Sequence, residues 1–241
     1  MRIKAFFFLF LITTACYAQK SFMSLTMGSS VPVGSFSDTE DIYSDGFAGS
    51  NFVINFDGTY FFIPVVGIGG TFSFGSSYGG GESLENALYD DVIEKFPILS
   101  VAADREYNFD AGKWNYVNLM AGPQISIPLN NINIDFKALG GLSFVFVPSR
   151  DISIELDNNG EFQSSTQGDE LNFGYILGTG VRFGVGRGTG IRLALDYYHS
   201  KPALVTKNNY TNNNISHDLQ NDQFEVSINS LHMALGIAYN F

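Results

Sequence analysis

Five charged residues lie within alternating, otherwise apolar segments of this 241-residue chain. They are Asp135, Lys137, Arg182, Arg192 and Asp196. Arg182 and Arg192 are nearly symmetric about a glycine-rich turn, so we expect them to be close neighbours. Two guanidinium groups side by side in a narrow interior need carboxylate partners. We predict that these residues, with His232, form an interior polar network. This network is either a set of salt bridges that plugs the interior or the lining of a selective, gated pore.

Two histidines have neighbours that a hydrolase could use. His199 adjoins Ser200, and His217 adjoins Asp218. A hydrolase needs its nucleophile, base and orienting group within hydrogen-bond reach. Adjacent strand residues point to opposite faces, so His199 and Ser200 would not face each other. We predict that the protein is not an enzyme, with a lipid-modifying enzyme as the alternative.

A glycine run and two acidic segments complete the candidate sites. The Gly-x-Gly-x-Gly-x-Gly run at 184–190 lacks the strand–loop–helix context of a phosphate cradle and predicts a tight turn. The acidic segments at 35–46 and 148–170 predict solvated loops, because the first does not have the spacing of an EF-hand. Loose binding of Ca²⁺ or Mg²⁺ there is the alternative. We predict no cofactor and no metal site.

Period-2 alternation recurs along the chain and predicts the strands that position these residues. At 231–241, for example, every odd-numbered residue is apolar. Eight such segments follow one another, with short connections at about 57–64, 128–131 and 186–189. The pattern predicts an all-β fold, an antiparallel up-and-down barrel of eight strands.

Long connections separate the pairs of strands that the short turns join. They lie at about 35–46, 76–112, 148–170 and 199–225. Residues 82–96 predict a short helix inside the second long connection. Residues 96–103 could form an extra strand, which keeps a ten-stranded barrel open.

The distribution of charge predicts which face of the barrel is apolar. The four long connections hold 21 of the 24 acidic residues, which leaves three acidic residues and a few Lys and Arg residues for the strands and short turns. A soluble barrel needs far more charge on its water-facing surface. Aromatic residues also gather near both predicted rims, as in the interfacial girdles of membrane barrels. We predict a transmembrane barrel with short periplasmic turns and long extracellular loops; the alternative is a soluble secreted barrel that binds a lipophile.

Composition argues against several classes of protein. Thirteen Lys and Arg against 24 Asp and Glu give a net charge of −11, which argues against a nucleic-acid partner. A hydrophobic content of 45% argues against disorder. The single cysteine, Cys16, excludes an intramolecular disulfide and a cysteine-based zinc site.

The first eighteen residues have the pattern of a signal peptide. Arg2 and Lys4 precede eight apolar residues at 5–12, and small residues then lead to a cleavage site after Ala18 or Gln19. We predict residues 1–18 as the signal peptide and 19–241 as the barrel domain. Lipidation of Cys16 is the alternative.

Several short motifs carry a resemblance to a known group of proteins. They are Tyr17-Ala18-Gln19, Val31-Pro32-Val33-Gly34-Ser35-Phe36, Ala121-Gly122-Pro123 and Ala238-Tyr239-Asn240-Phe241. With these motifs the chain resembles the outer-membrane β-barrel families of Bacteroidetes-type bacteria, small eight-stranded barrels of the porin-like superfamily. The resemblance implies that the C-terminal strand, with Tyr239 and Phe241, is the signal read by the barrel-insertion machinery.

These observations predict an integral protein of the outer membrane in a Gram-negative envelope. Its expected role is structural or interactive: envelope integrity, surface contact, or partnership in a secretion or uptake complex. Its expected partners are outer-membrane lipid and lipopolysaccharide, the insertion machinery, and an extracellular or envelope protein. A narrow porin-like channel for small solutes is the main alternative.

Overall fold

The computed structural model describes residues 21–95, 107–148, 150–156, 160–168, 170–212, 215–219 and 221–241. Their strands, in chain order, are β1 (Phe22–Pro32), β2 (Ala48–Gly49), β3 (Asn51–Phe61), β4 (Val66–Gly79), β5 (Tyr107–Ala111), β6 (Lys113–Leu129), β7 (Ile132–Phe146), β8 (Arg150–Leu156), β9 (Gly160–Gln167), β10 (Glu170–Gly184), β11 (Thr189–Ser200), β12 (Ala203–Asn212), β13 (Ile215–Asp218), β14 (Asp222–Glu225) and β15 (Ile228–Asn240). The same residues include helix α1 (Glu82–Lys95) and a 3-10 turn at Gly34–Phe36. No helix in these ranges is long and apolar enough to cross a membrane.

Eight of these strands close into an antiparallel barrel, in which each strand pairs with its neighbours in chain order. They are β1, β3, β4, β6, β7, β10, β11 and β15. The barrel closes where β1 pairs with β15, so that Leu25 lies opposite Ile237 on one side and Phe56 on the other. A closed wall leaves no open sheet edge. The predicted eight-stranded barrel is confirmed, and residues 96–103, the basis for ten strands, lie outside the described residues.

The barrel has two different rims. The short-turn rim carries the connections 62–65, 130–131 and 185–188. The glycine run lies in the last of these turns, where Gly188 has a φ of +83°, a left-handed conformation that glycine adopts without strain. The long-connection rim carries residues 33–50, 80–112, 147–169 and 201–227.

Side chains alternate strictly across the barrel wall. In β11 the even-numbered residues from Gly190 to Ser200 are buried, whereas the odd-numbered ones are exposed or half-buried. β15 shows the same alternation. Because successive strand residues point to opposite faces, small and polar side chains fill the interior and apolar ones cover the exterior. This is the inside-out distribution expected of a barrel surrounded by lipid.

Beyond the long-connection rim, a second sheet repeats the order of the barrel strands beneath it. Its order is β5–β8–β9–β12, with β13 and β14 paired to β12. The breaks between the two sheets include Gly112, Pro148, Gly168 and Pro202. Proline cannot donate to a ladder and glycine weakens a strand, so these residues interrupt the pairing.

The prediction of a solvated loop at 148–170 is therefore wrong, and the long connection predicted at 199–225 also contains strands. The described parts of these segments are mainly the strands β8, β9, β12, β13 and β14. Glycine and proline residues interrupt strand pairing at the long-connection rim, and pairing continues beyond them in the second sheet.

The predicted helix at 82–96 is confirmed as α1. Its buried side chains, Leu84, Leu88 and Val92, recur every fourth residue and so share one face. Leu84 and Leu88 pack in a cluster with Phe47, whereas Val92 packs in a cluster with Phe162 of the second sheet. We call residues 33–50, α1 and the second sheet the cap.

Candidate functional site

The barrel interior contains a charge-balanced group of six side chains, which we call the charge layer. Its cations are Lys137, Arg182 and Arg192, and its carboxylates are Asp57, Asp135 and Asp196. Each residue is only 1–6% exposed. The six come from β3, β7, β10 and β11. The contact between Arg182 and Asp135 joins the paired strands β10 and β7, whereas the contacts of Asp57 cross the lumen.

Lys137 bridges two carboxylates in this layer. Its Nζ lies 3.0 Å from Asp57 Oδ1 and 3.0 Å from Asp196 Oδ2. Asp57 also accepts hydrogen bonds from Thr71 at 2.5 Å and Ser24 at 3.4 Å. The three bridged residues lie on β7, β3 and β11, and no two of these strands pair in the wall. Lys137 therefore links distant parts of the barrel through its interior.

Arg182 forms a bidentate pair with Asp135. The Nε–Oδ2 distance is 2.8 Å and the Nη2–Oδ1 distance is 3.0 Å. Ser126 also donates to Asp135 at 2.6 Å, and Arg182 Nη1 donates to Asn240 at 2.6 Å. The guanidinium carbon lies 3.7 Å from the centre of the Phe22 ring. Paired parallel hydrogen bonds of this kind give both strength and a fixed orientation.

Arg192 lies between the carboxylates of Asp57 and Asp135. It lies directly opposite Arg182 in the β10–β11 pairing, as the symmetry of the sequence predicts. Its nearest carboxylate oxygens are 3.8 Å away on Asp57 and 4.0 Å away on Asp135. Like charges directly opposite repel each other, and the intervening carboxylates offset that repulsion.

A glycine makes room for the bridge made by Lys137. A Cβ atom on Gly178 would lie 1.9 Å from Asp196 Oδ1 and 2.8 Å from Lys137 Cε. Such distances are far inside van der Waals contact. Gly178 of β10 therefore leaves the space that the charge layer fills, although it carries no functional group.

A stacked aromatic layer follows the charge layer toward the long-connection rim. Tyr116 and Tyr198 stack with ring centres 4.8 Å apart, and His232 stacks on both. The Tyr116 hydroxyl lies 2.9 Å from His232 Nε2 and 2.7 Å from the Ser30 hydroxyl. The Tyr198 hydroxyl lies 2.6 Å from that of Ser143. His232 thus lies inside the barrel within a hydrogen-bonded layer.

An apolar cluster then joins the barrel to the cap, and we call it the apolar plug. It includes Trp114 at the rim, Phe36 from the first long connection, and Leu204 and Val226 from the last one. All four are 0% exposed. Trp114 packs edge-to-face on Phe36 at 5.4 Å and donates its Nε1–H to the carbonyl of Gly46 at 3.0 Å.

The exterior of the barrel is an apolar belt. All exposed large hydrophobic side chains of the described residues lie on barrel strands, on short turns or at Phe241. On the described barrel strands, the charged residue that faces outward is Lys113, at the long-connection rim. Glu170 has the inward parity of β10, lies opposite the buried Val145 and accepts a hydrogen bond from the amide of Ala203. Tyr239 and Phe241 are 53% and 57% exposed on the short-turn rim.

The structure separates the residues of the hydrolase alternative. His199 Nδ1 lies 2.7 Å from Asn229 Oδ1 and its ring packs on Tyr175, whereas the buried Ser200 donates to Asn172. His199 and Ser200 therefore have different partners on opposite faces of β11. The side chain of Asp218, the neighbour of His217, lies outside the described ones.

A polar cluster links three segments of the cap: residues 33–50, α1 and β14. Lys95 of α1 lies 2.5 Å from Asp222 and 3.6 Å from Asp91, and it also contacts the Tyr43 hydroxyl. Burial raises the pKa of Tyr43 to about 12. Burial alone would lower the pKa of Lys95, but hydrogen bonds to Asp222 and Tyr43 raise it above its usual value.

The acidic segment at 35–46 is organised by its own backbone. Asp45 is only 6% exposed and accepts hydrogen bonds from the amides of Glu40 and Asp41 at 3.0 and 2.9 Å. Within the described residues, no group of three or more His, Cys, Asp or Glu side chains is arranged to hold a metal ion. At least one carboxylate of this segment is therefore internal rather than solvated.

Two parts of the interior differ from what the sequence predicts. The predicted short turn at about 57–64 includes Asp57, but β3 continues to Phe61 and places Asp57 inside. The alternation of β3 indicates this position in the sequence, because Val53, Asn55 and Asp57 share one face of the strand. The apolar plug joins residues too far apart in sequence for any local pattern to reveal.

Neither a protein-family model nor a curated protein matches the chain. Among solved structures it is similar to Neisserial surface protein A, with 10% identity over 92% of this chain and 97% of that one and a TM-score of 0.44. It is also similar to Ail, the attachment invasion locus protein of Yersinia pestis, with 15% identity over 92% and 99% of the two chains and a TM-score of 0.39. A major outer membrane protein from Thermus thermophilus matches at 15% identity over 92% and 98%, with a TM-score of 0.41.

Proposed function

We propose that this protein is an integral outer-membrane β-barrel with a closed lumen, which acts through its cap and its lipid-facing wall rather than by transport or catalysis. The observation that carries this proposal is the charge layer. Three cations and three carboxylates, each 1–6% exposed, neutralise one another across the lumen. An ion entering such a layer would have to break contacts that hold the barrel together.

The apolar plug gives the lumen a second closure. Trp114, Phe36, Leu204 and Val226 pack where solutes would enter from the long-connection rim. A hydrated pore needs a polar lining, and a packed apolar constriction resists wetting. Both closures would have to open together before a solute could cross.

The apolar belt supports a location in the membrane. Side chains such as Leu193, Met233 and Leu235 are 47–53% exposed, and no charged residue interrupts them on the described barrel strands away from the rim. In water such a surface would drive aggregation, whereas in lipid it is the expected outer face. Lipid and lipopolysaccharide are therefore its proposed contacts. The C-terminal Tyr239 and Phe241 are the proposed signal for insertion.

The cap supports an interaction role outside the cell. It is held by two hydrophobic clusters and by the Lys95 cluster, so it presents a fixed surface. Glu82, Asp90 and Glu94 of α1 are exposed there, which favours a cationic partner. Binding of an oligolysine peptide to the refolded protein should fall in the triple variant Glu82→Gln/Asp90→Asn/Glu94→Gln, and also in high salt. Equal binding by the two proteins would oppose this role.

Recordings from planar bilayers test the closed lumen. The full chain should insert without producing unitary current steps. The charge-neutral double variant Asp135→Ala/Arg182→Ala should also stay silent, because the apolar plug remains. Steps in the wild-type protein that change ion selectivity on Arg182→Ala would overturn the closed barrel in favour of a narrow channel. Heat-modifiable gel mobility of the same sample controls for correct folding.

A further inference from the structure

Arg150, the first residue of β8, is a buried cation in the cap. It is 1% exposed, and no carboxylate of the described residues lies within 4.0 Å of it. Its Nη1 donates to the carbonyl of Ile42 at 3.3 Å, and its Nη2 donates to those of Gly46 and Asp45 at 3.2 and 3.5 Å. Its Nε has no hydrogen-bond partner among the described residues. By contrast, each buried cation of the charge layer has a carboxylate within that distance.

The surroundings of Arg150 compensate its charge only in part. Its three hydrogen bonds are at the long end of the normal range. The rings of Trp114 and Phe47 lie 5.6 and 5.8 Å from the guanidinium carbon, near the limit of cation–π attraction. Burial lowers the pKa of Arg150 to about 10, so the side chain stays positively charged at neutral pH. A buried charge without a counter-charge is strongly unfavourable.

A small cavity adjoins this cation. Arg150 lines it together with Ser164, Thr166 and Thr206, three hydroxyl residues that are 4–8% exposed. The hydroxyls of Thr166 and Thr206 lie 2.9 Å apart, so one donates to the other and the second hydrogen is left for another acceptor. The cavity volume is about 10 Å³, close to the space that one water-sized occupant needs.

Two further charged residues line the cavity, and they are already paired. Asp91 accepts a hydrogen bond from Tyr43 at 2.7 Å and lies 3.6 Å from Lys95. Lys95 also binds Asp222 at 2.5 Å. Lys95 thus has two carboxylate partners, whereas Arg150 is the cation of the cavity lining that has no carboxylate within 4.0 Å among the described residues. The donor groups beside Arg150 suit an anion.

We propose that this cavity binds one small monoatomic anion of the halide class, chloride in an ordinary medium, held by Arg150, Thr166 and Thr206. A halide supplies a single negative charge on one atom that is somewhat larger than a water molecule and much smaller than an oxyanion. Sulfate and phosphate are too large for the space. The bound halide neutralises Arg150 and thereby stabilises the attachment of residues 33–50 to the second sheet. The site does not depend on the proposed closed lumen.

Bromide is the probe for this site, because it scatters anomalously and replaces chloride. Crystals of the full chain grown in sodium bromide should show an anomalous peak between Arg150, Thr166 and Thr206. In solution, the refolded protein should broaden the chloride NMR line, and bromide should compete. The double variant Thr166→Val/Thr206→Val, which preserves side-chain volume, should weaken binding about tenfold, because hydrogen bonds to charged groups are strong. Thr211→Val on β12 is the matched control and should leave binding unchanged.

Three results would overturn the halide site. One is a cavity that holds water and shows no anomalous bromide peak. Another is line broadening that persists unchanged in the double valine variant, since the anion would then bind elsewhere. The third is full halide binding by Arg150→Met. If Arg150→Met does not fold, the threonine variants still decide the question, because they leave the guanidinium in place.

Discussion

Removal of the Lys137 ammonium is the sharpest perturbation of the charge layer. In Lys137→Met the side chain keeps much of its volume but no longer contacts Asp57 and Asp196, each 3.0 Å from Nζ in the native protein. Asp57 then keeps Arg192 at 3.8 Å, whereas no other cation of the described residues lies within 4.0 Å of Asp196. One carboxylate is left buried and unpaired in the barrel interior.

This geometry sets the loss in free energy of unfolding that we expect for Lys137→Met. Removing one partner of a buried ion pair destabilises a protein by about 3–5 kcal/mol, because the remaining charge is uncompensated. The double variant Lys137→Met/Asp196→Asn restores the balance with two cations and two carboxylates. It should therefore be more stable than Lys137→Met by about 1–2 kcal/mol, as expected for residues that interact directly.

Reversible urea unfolding of the refolded protein in lipid vesicles measures these free energies. The fluorescence of Trp114, the single tryptophan, reports on the fold. Lys113→Met is the matched control, because Lys113 is exposed at the rim, and it should shift the free energy of unfolding by less than about 0.5 kcal/mol. The Lys137 bridge does not stabilise the barrel if Lys137→Met costs no more free energy of unfolding than this control, or if the double variant is no more stable than Lys137→Met.

Three further changes probe other parts of the structure. Gly178→Ala should destabilise the barrel by about 1–3 kcal/mol in the same assay, because the new Cβ overlaps Asp196 Oδ1. Leu235→Lys should cost about 2–4 kcal/mol in vesicles, because it places a charge on the lipid-facing wall. The cap should resist proteolysis equally from pH 6 to 9 and become more sensitive above about pH 10.5. Lys95 and Tyr43 have raised pKa values when folded, so their stabilisation is complete below the unfolded values and is lost as rising pH removes their protons.

Control variants separate these three effects from a general loss of stability. Gly186→Ala should be nearly neutral, because the nearest atom to a Cβ there is 3.4 Å away; equal costs at both glycines would oppose the close packing of the interior. Gln163→Lys, on the exposed face of the second sheet, should cost little, and an equal cost for Leu235→Lys would oppose burial in lipid. Lys95→Met should make the cap sensitive to protease already at about pH 7, and unchanged resistance would oppose the Lys95 cluster.

The sequence was sufficient to predict the barrel wall. Alternation through Leu231, Met233 and Leu235 is a local property of a strand, and it needs no knowledge of the partner strand. The placement of Arg182 opposite Arg192 was also predictable, because a tight turn fixes the pairing register of a hairpin.

Contacts between distant segments could not be predicted in the same way. Asp57 meets Lys137 across the lumen, and the two residues are 80 positions apart with no local signal of that contact. The strands of the cap could not be predicted from local sequence. Pro148 and Pro202 interrupt the hydrogen-bonded pairing that follows β7 and β11, and the strands beyond them pair with strands from other long connections. The apolar plug likewise exists only after the barrel has closed.

Gel mobility of the outer-membrane fraction, boiled and unboiled, tests most directly whether this chain forms a closed barrel in the membrane. The structure predicts a band in that fraction which migrates faster without boiling, because a closed barrel stays folded in detergent. A protein found in the soluble fraction with the same mobility in both samples would contradict it. The apolar belt would then have to face a bound lipophile or a partner instead of lipid.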